Sequence, residues 1–165
     1  MKIIVLAGGL STERDVSLAS AAGICKTLLE KGHDAFLLDV FLGLENAPEN
    51  LEDVFTLPGH GLEIAKNISE TEPDLAAVKA SRPDQSDCFL GPNVIELCRM
   101  ADITFIGLHG GEGENGKLQA TFDLLGIKYT GPNSLGCAAA MHKGIAKQIF
   151  LESGIPTPNG VCIHK

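Results

Sequence analysis

The sequence predicts an α/β fold: a mostly parallel sheet with helices on both faces, three layers in all. Three observations carry this. The runs "KIIVLA" at 2–7 and "DITFIGL" at 102–108 are dominated by apolar residues, as strands are when both faces are covered. Each run ends in glycines and acids and gives way to a helical pattern. A further apolar run, "AFLLDVF" at 35–41, follows the first helical pattern in the order of a βαβ unit, for which a right-handed crossover is the strong default.

The elements follow in order. Leu18, Ala22, Cys25 and Leu29 stand at i, i+4, i+7 and i+11, one stripe of a helix, and "EKGHD" closes that helix with Gly32 at the place of a left-handed cap. The stretch 43–92 is dense in glycine, proline and acids and has no clean period, so it reads as a long, partly ordered connection and the least ordered part of the chain. In "NVIELCRMA", Asn93 predicts an N-cap with Glu96 three residues on, a variant of the capping box. "HGGEGENGKLQATFDLLG" then repeats the pattern that follows the first strand, with Gly126 ending the helix, and "IKYTGP" reads as a short fourth strand. The segment from 133 to 153 is helical and closed by Gly154, and "IPTP" is a proline-punctuated linker.

Composition removes several function classes. A chain of 165 residues, 44% hydrophobic, supports about one domain with a real core. Its net charge of −8 and its lack of a Lys/Arg cluster argue against a nucleic-acid backbone as partner, and one Tyr with no Trp argues against a base-stacking surface. No apolar stretch approaches the roughly 20 residues that span a bilayer, and the apolar run after Lys2 is too short for a signal peptide. Five cysteines without CxxC spacing read as reduced thiols of a cytoplasmic protein rather than as metal ligands.

The two glycine-bearing strand ends are the informative pair. In an open parallel sheet, ligands sit beyond the carboxyl ends of strands, at helix N-termini. Loops 7–14 and 109–116 both fall there, and each offers backbone N–H groups to an anion. The first adds Glu13; the second adds His109, Glu112 and Glu114. A carboxylate and an imidazole beside N–H donors suit a small zwitterion. Taken alone, Gly8 and Gly9 permit a tight turn and nothing more, and neither loop matches GxGxxG or GxxxxGK[ST].

"GGLSTERDVSLASA" with "LHGGEGENGKLQATFDLLGIKYTGPNSLGCAAAMHKGIAKQIF" closely resembles the N-terminal part of the D-alanine–D-alanine ligases, enzymes of the ATP-grasp superfamily. The resemblance covers residues 1–42 and about 93–160. It implies a Rossmann-like, pre-ATP-grasp domain over 1–131, with 43–92 as connection or insertion. Residues 132–165 would be a helical segment and the first strand, "GVCIHK", of a truncated ATP-grasp domain. It implies that Glu13 holds the amino group of a first D-alanine, that Ser17, His109 and Gly110 line the same subsite, and that Lys143 contacts the phosphates of ATP. The implied reaction phosphorylates one D-alanine to an acyl phosphate, which the amine of a second attacks, yielding the dipeptide for peptidoglycan synthesis. Magnesium would bridge the phosphates, its ligands expected in a C-terminal part beyond this chain, and the chain alone would be inactive. The sequence departs from the family pattern at His142 and Asn115, each usually Asp, and at Ala120, usually Gly. The resemblance admits a homodimer and leaves the oligomeric state open. A small-ligand-binding or dimerisation module derived from a ligase stays open as another reading.

Overall fold

The computed structural model describes residues 1–65 and 67–161. Strand β1 (Lys2–Ala7) runs at the centre of a three-stranded parallel sheet, with β2 (Asp34–Asp39) on one side and β3 (Ile103–Ile106) on the other. Alternation along β1 divides the core in two. Ile4 and Leu6 face one cluster; Ile3, Val5 and Ala7 face the other.

Helix α1 (Arg14–Glu30) buries Leu18, Ala21, Ala22 and Cys25 against the second cluster, so the predicted stripe is the observed one. Lys31 and Gly32 close it, Gly32 at φ 78°. The opposite face receives Val94, Leu97 and Cys98 of α3 (Val94–Met100) and Leu118 and Phe122 of α5 (Lys117–Leu125). The chain thus leaves β1 toward one face and β3 toward the other, which makes the β1–β3 boundary the switch point of the sheet.

Three expectations are corrected. "IKYTGP" forms a single parallel bridge, Thr104 to Tyr129, rather than a strand, because the chain turns away at Gly131 and Pro132 after two backbone hydrogen bonds to Thr104. Asn93 precedes α3 in a left-handed conformation (φ 62°), where its side chain cannot cap; its amide donates to the Leu44 carbonyl at 2.8 Å instead. The stretch 43–92 is more integral than its composition predicts. A 3₁₀ turn at Leu51–Thr56 buries Val54 and Phe55 in the core, and α2 (Leu75–Ser81) follows it. Arg82, 2% exposed, stacks over Phe41 at 4.9 Å and donates to the Cys88 carbonyl at 2.6 Å. The expected strand "GVCIHK" lies mostly outside the described residues.

Phe55→Ala is expected to cost about 3–5 kcal/mol in chemical denaturation, the range for deleting a buried aromatic; a loss under about 1 kcal/mol would show the 3₁₀ turn to be peripheral. Cys25, Cys88, Cys98 and Cys137 are free thiols. Burial pushes Cys25 up to about 11 and Cys98 to about 12 from 9.0. A folded state that keeps these protons longer than the unfolded chain keeps its full stability below pH 9.0 and loses it as pH rises through the folded values. Denaturation midpoints should therefore hold steady up to about pH 9 and fall beyond it, and alkylation at about pH 8 should label exposed Cys88 well before Cys25 or Cys98.

Candidate functional site

The loops that follow β1 and β3 meet across the switch point. Between them runs a narrow crevice lined by Gly8 to Ser11, by Leu108 to Gly110 and by Phe89, with free space of about 10 Å³, room for one water.

A buried ion pair sets the floor of the first loop. Arg14, 4% exposed, pairs with Asp39, 2% exposed, at the end of β2. The same guanidinium donates through Nη1 to the Gly9 carbonyl at 2.7 Å, and the second carboxylate oxygen, Oδ1, accepts from the N–H groups of Phe41 and Leu42 at 2.9 and 3.0 Å. Gly8 sits directly on this pair at φ 73°; a Cβ there would lie 2.2 Å from Asp39 Oδ2. Only glycine fits both the conformation and the space.

Serine hydroxyls lash the second loop to the first. Ser17, fully buried, donates to the Gly107 carbonyl at 2.7 Å and accepts from the Gly8 N–H at 3.0 Å. Donor and acceptor of its hydroxyl are thereby engaged with backbone, so Ser17 ties the two strand ends together and is not among the residues that line the crevice. Ser11 donates to the His109 carbonyl at 2.6 Å and accepts from the Glu13 N–H at 3.2 Å. His109 Nε2 lies 3.3 Å from Ser20 Oγ.

The Glu13 side chain reaches the loop that carries His109, at Gly110. Glu13 stands at the N-cap of α1, and its Oε2 lies 2.9 Å from where a side chain on Gly110 would begin, beside His109. Gly110 adopts φ 68° and opens α4 (Gly111–Glu114). Gln119 steadies this second loop through a 2.8 Å bond to the Gly113 carbonyl. Lys143 stands apart from the residues lining the crevice, exposed on the first turn of α7 (Lys143–Glu152). Two of the departures keep the local chemistry of an Asp: His142 Nδ1 caps α7 by accepting from the Ile145 N–H at 3.2 Å, and Asn115 accepts from the Lys117 N–H at 3.1 Å. Among the described residues no three His, Cys, Asp or Glu side chains gather to hold a metal, so no step through magnesium follows from them. No described helix is long and apolar enough to cross a membrane.

Sequence reasoning missed Arg14, Asp39, Ser11, Ser20 and Phe89. A signal existed for one of them: Asp39 is the lone acid inside "AFLLDVF", and a charge within a buried run needs a partner. The serines and Phe89 left none, since each acts across a separation that only the fold closes.

Fold and crevice together define an α/β domain with a crevice at the switch point of a parallel sheet. The family model described as D-ala D-ala ligase N-terminus matches residues 2–132. The chain belongs to that family. It is 44% identical over 157 residues to the D-alanine–D-alanine ligase of Lacticaseibacillus casei, covering 95% of this chain and 43% of the relative. It is 43% identical over 165 residues to that of Pediococcus pentosaceus, covering 99% and 46%. The chain therefore spans a little under half the length of these curated relatives. Its fold matches the crystal structure of the Bacillus anthracis D-alanine–D-alanine ligase complexed with ATP, with a TM-score of 0.60, 24% identity, and 96% of this chain and 38% of that one covered. The Coxiella burnetii ligase gives a TM-score of 0.59 at 25% identity, with 96% and 44% covered.

Arg14→Met is expected to cost about 3–5 kcal/mol by leaving Asp39 buried and unpaired. Lys117→Met, which breaks only the exposed 3.1 Å pair with Glu112, should cost under about 1 kcal/mol in the same denaturation series. Equal losses would show that the buried pair has no special weight.

Proposed function

We propose that this chain forms the first D-alanine subsite of an ATP-dependent D-alanine–D-alanine ligase acting in peptidoglycan synthesis in the bacterial cytoplasm. The observation that carries the reading is the approach of the Glu13 carboxylate to Gly110, which itself lines the crevice with His109 at the carboxyl edge of the sheet. The Glu13 carboxylate takes the ammonium of the amino acid. The glycine-rich loops, whose N–H groups at Gly9, Leu10 and Gly110 donate to no acceptor among the described residues, face its carboxylate. The crevice has room for one water, so the amino acid would sit at its mouth, where Glu13 lies against Gly110, and the serine ties hold both walls at a fixed separation. ATP would supply the phosphoryl group that activates the D-alanine carboxylate for attack by the amine of a second, and magnesium would neutralise the phosphate charge. Lys143 offers its exposed ammonium to the phosphates from the start of α7. The domain reading follows: residues 1–131 carry the subsite, and 132–165 begin the ATP-binding part. Exposed Leu135, Ile149 and Leu151 on α6 (Ser134–Met141) and α7 support association with a further domain or a second copy, a homodimer included.

The 165-residue chain is expected to show no D-alanine-dependent ADP release. In a polypeptide of the relatives' full length the release should appear. Glu13→Gln should then lower kcat/KM about ten- to a hundredfold, the loss of one charge-assisted hydrogen bond of about 1.5–3 kcal/mol. An unchanged kcat/KM in that variant would remove Glu13 from the site.

A further inference from the structure

Ser20 carries one hydroxyl hydrogen and has three polar neighbours. Its Oγ lies 2.8 Å from the Val16 carbonyl and 3.2 Å from the Ser17 carbonyl, both in the preceding turn of α1. Carbonyls only accept, so the hydrogen goes to one of them. The third neighbour is His109 Nε2 at 3.3 Å. With its hydrogen committed, Oγ can only accept there, and Nε2 must donate. The opposite tautomer would set two lone pairs against each other or pull the hydroxyl off both carbonyls. The backbone of the same histidine is held from the first loop by the 2.6 Å bond from Ser11 to the His109 carbonyl.

We infer that Ser20 is a positioning residue that locks neutral His109 in the Nε2–H tautomer, leaving Nδ1 as the hydrogen-bond acceptor of a residue that lines the crevice. This deepens the first-subsite reading and rests on it for the ligand: an acceptor nitrogen on His109, with the Glu13 carboxylate against the next residue, Gly110, would give the subsite two acceptors for one multiply donating group, the primary ammonium of an amino acid. A carboxylate is recognised elsewhere, by backbone N–H groups.

The test is a long-range ¹H–¹⁵N spectrum of the 165-residue chain labelled at histidine, at about pH 8, where imidazoles are ordinarily neutral. His109→Gln identifies the His109 signals among the five histidines. The expected spectrum shows His109 protonated on Nε2 alone. Ser20→Ala, which is exposed and favours helix, should keep the far-UV circular dichroism and move His109 toward a mixture of tautomers, while Ser20→Thr restores the single form. A ring protonated on Nδ1 in the parent chain, or a Ser20→Ala spectrum identical to it, overturns the assignment. Titration with D-alanine and with propionate separates this from the functional reading. D-alanine affinity should fall about three- to tenfold in Ser20→Ala, the range for one neutral hydrogen bond. Propionate should be indifferent to it. D-alanine failing to bind the parent chain would count against the subsite itself, while the tautomer stands or falls on the spectrum.

Discussion

A guanidinium and a carboxylate enclosed at the carboxyl edge of the sheet hold the whole site in place. Arg14 comes from the first turn of α1 and Asp39 from the last residue of β2, so their contact joins the two ends of the first βαβ unit. Neither charge reaches water, and each is stabilised by further hydrogen bonds: the guanidinium to the Gly9 carbonyl, the carboxylate to two backbone N–H groups. Such a pair adds little net stability over an apolar substitute but is costly to break, and so specifies one arrangement of the chain around it. Here it dictates glycine at position 8 and the path of the backbone that walls the crevice.

The crevice is built with little mobile side chain. Its walls are two glycine-bearing loops, and serine hydroxyls from α1 and its approach bind the second loop to the first at Gly107, at the His109 backbone and at the His109 ring. A site assembled this way offers a few groups at fixed positions, and the ordering that binding would otherwise demand is done during folding. On the proposed reading, the charged groups at its mouth discriminate a small ligand by chemistry rather than by area.

The stretch between β2 and α3 shows how composition can mislead. Its glycines, prolines and acids describe a connection, and much of its surface is solvated. Yet Val54 and Phe55 enter the core, and Arg82 gathers the Asp84–Leu90 turn by hydrogen bonds to Cys88 and Leu90 and an ion pair to Asp84. That turn places Phe89 against Gly9 and Leu108 and so closes one side of the crevice.

Legible in the sequence alone are the three strand runs, the α1 stripe, the helix-closing glycines at 32, 126 and 154, and the two loops at which Glu13 and His109 stand. These are legible because they rest on local periodicity and on backbone conformations that neighbouring residues dictate. Tertiary structure decided the rest. "IKYTGP" is a strand by composition and a single bridge in fact, since its pairing depends on how far β3 and the turn at Gly131 allow it to run alongside. Asn93 has the chemistry of a cap and lends its amide to Leu44 instead. Arg14 and Asp39 stand 25 positions apart, Ser20 and His109 89. Nothing local couples residues at such separations; only the pairing of β2 and β3 with β1 and the packing of α1 across that sheet bring them within bonding distance.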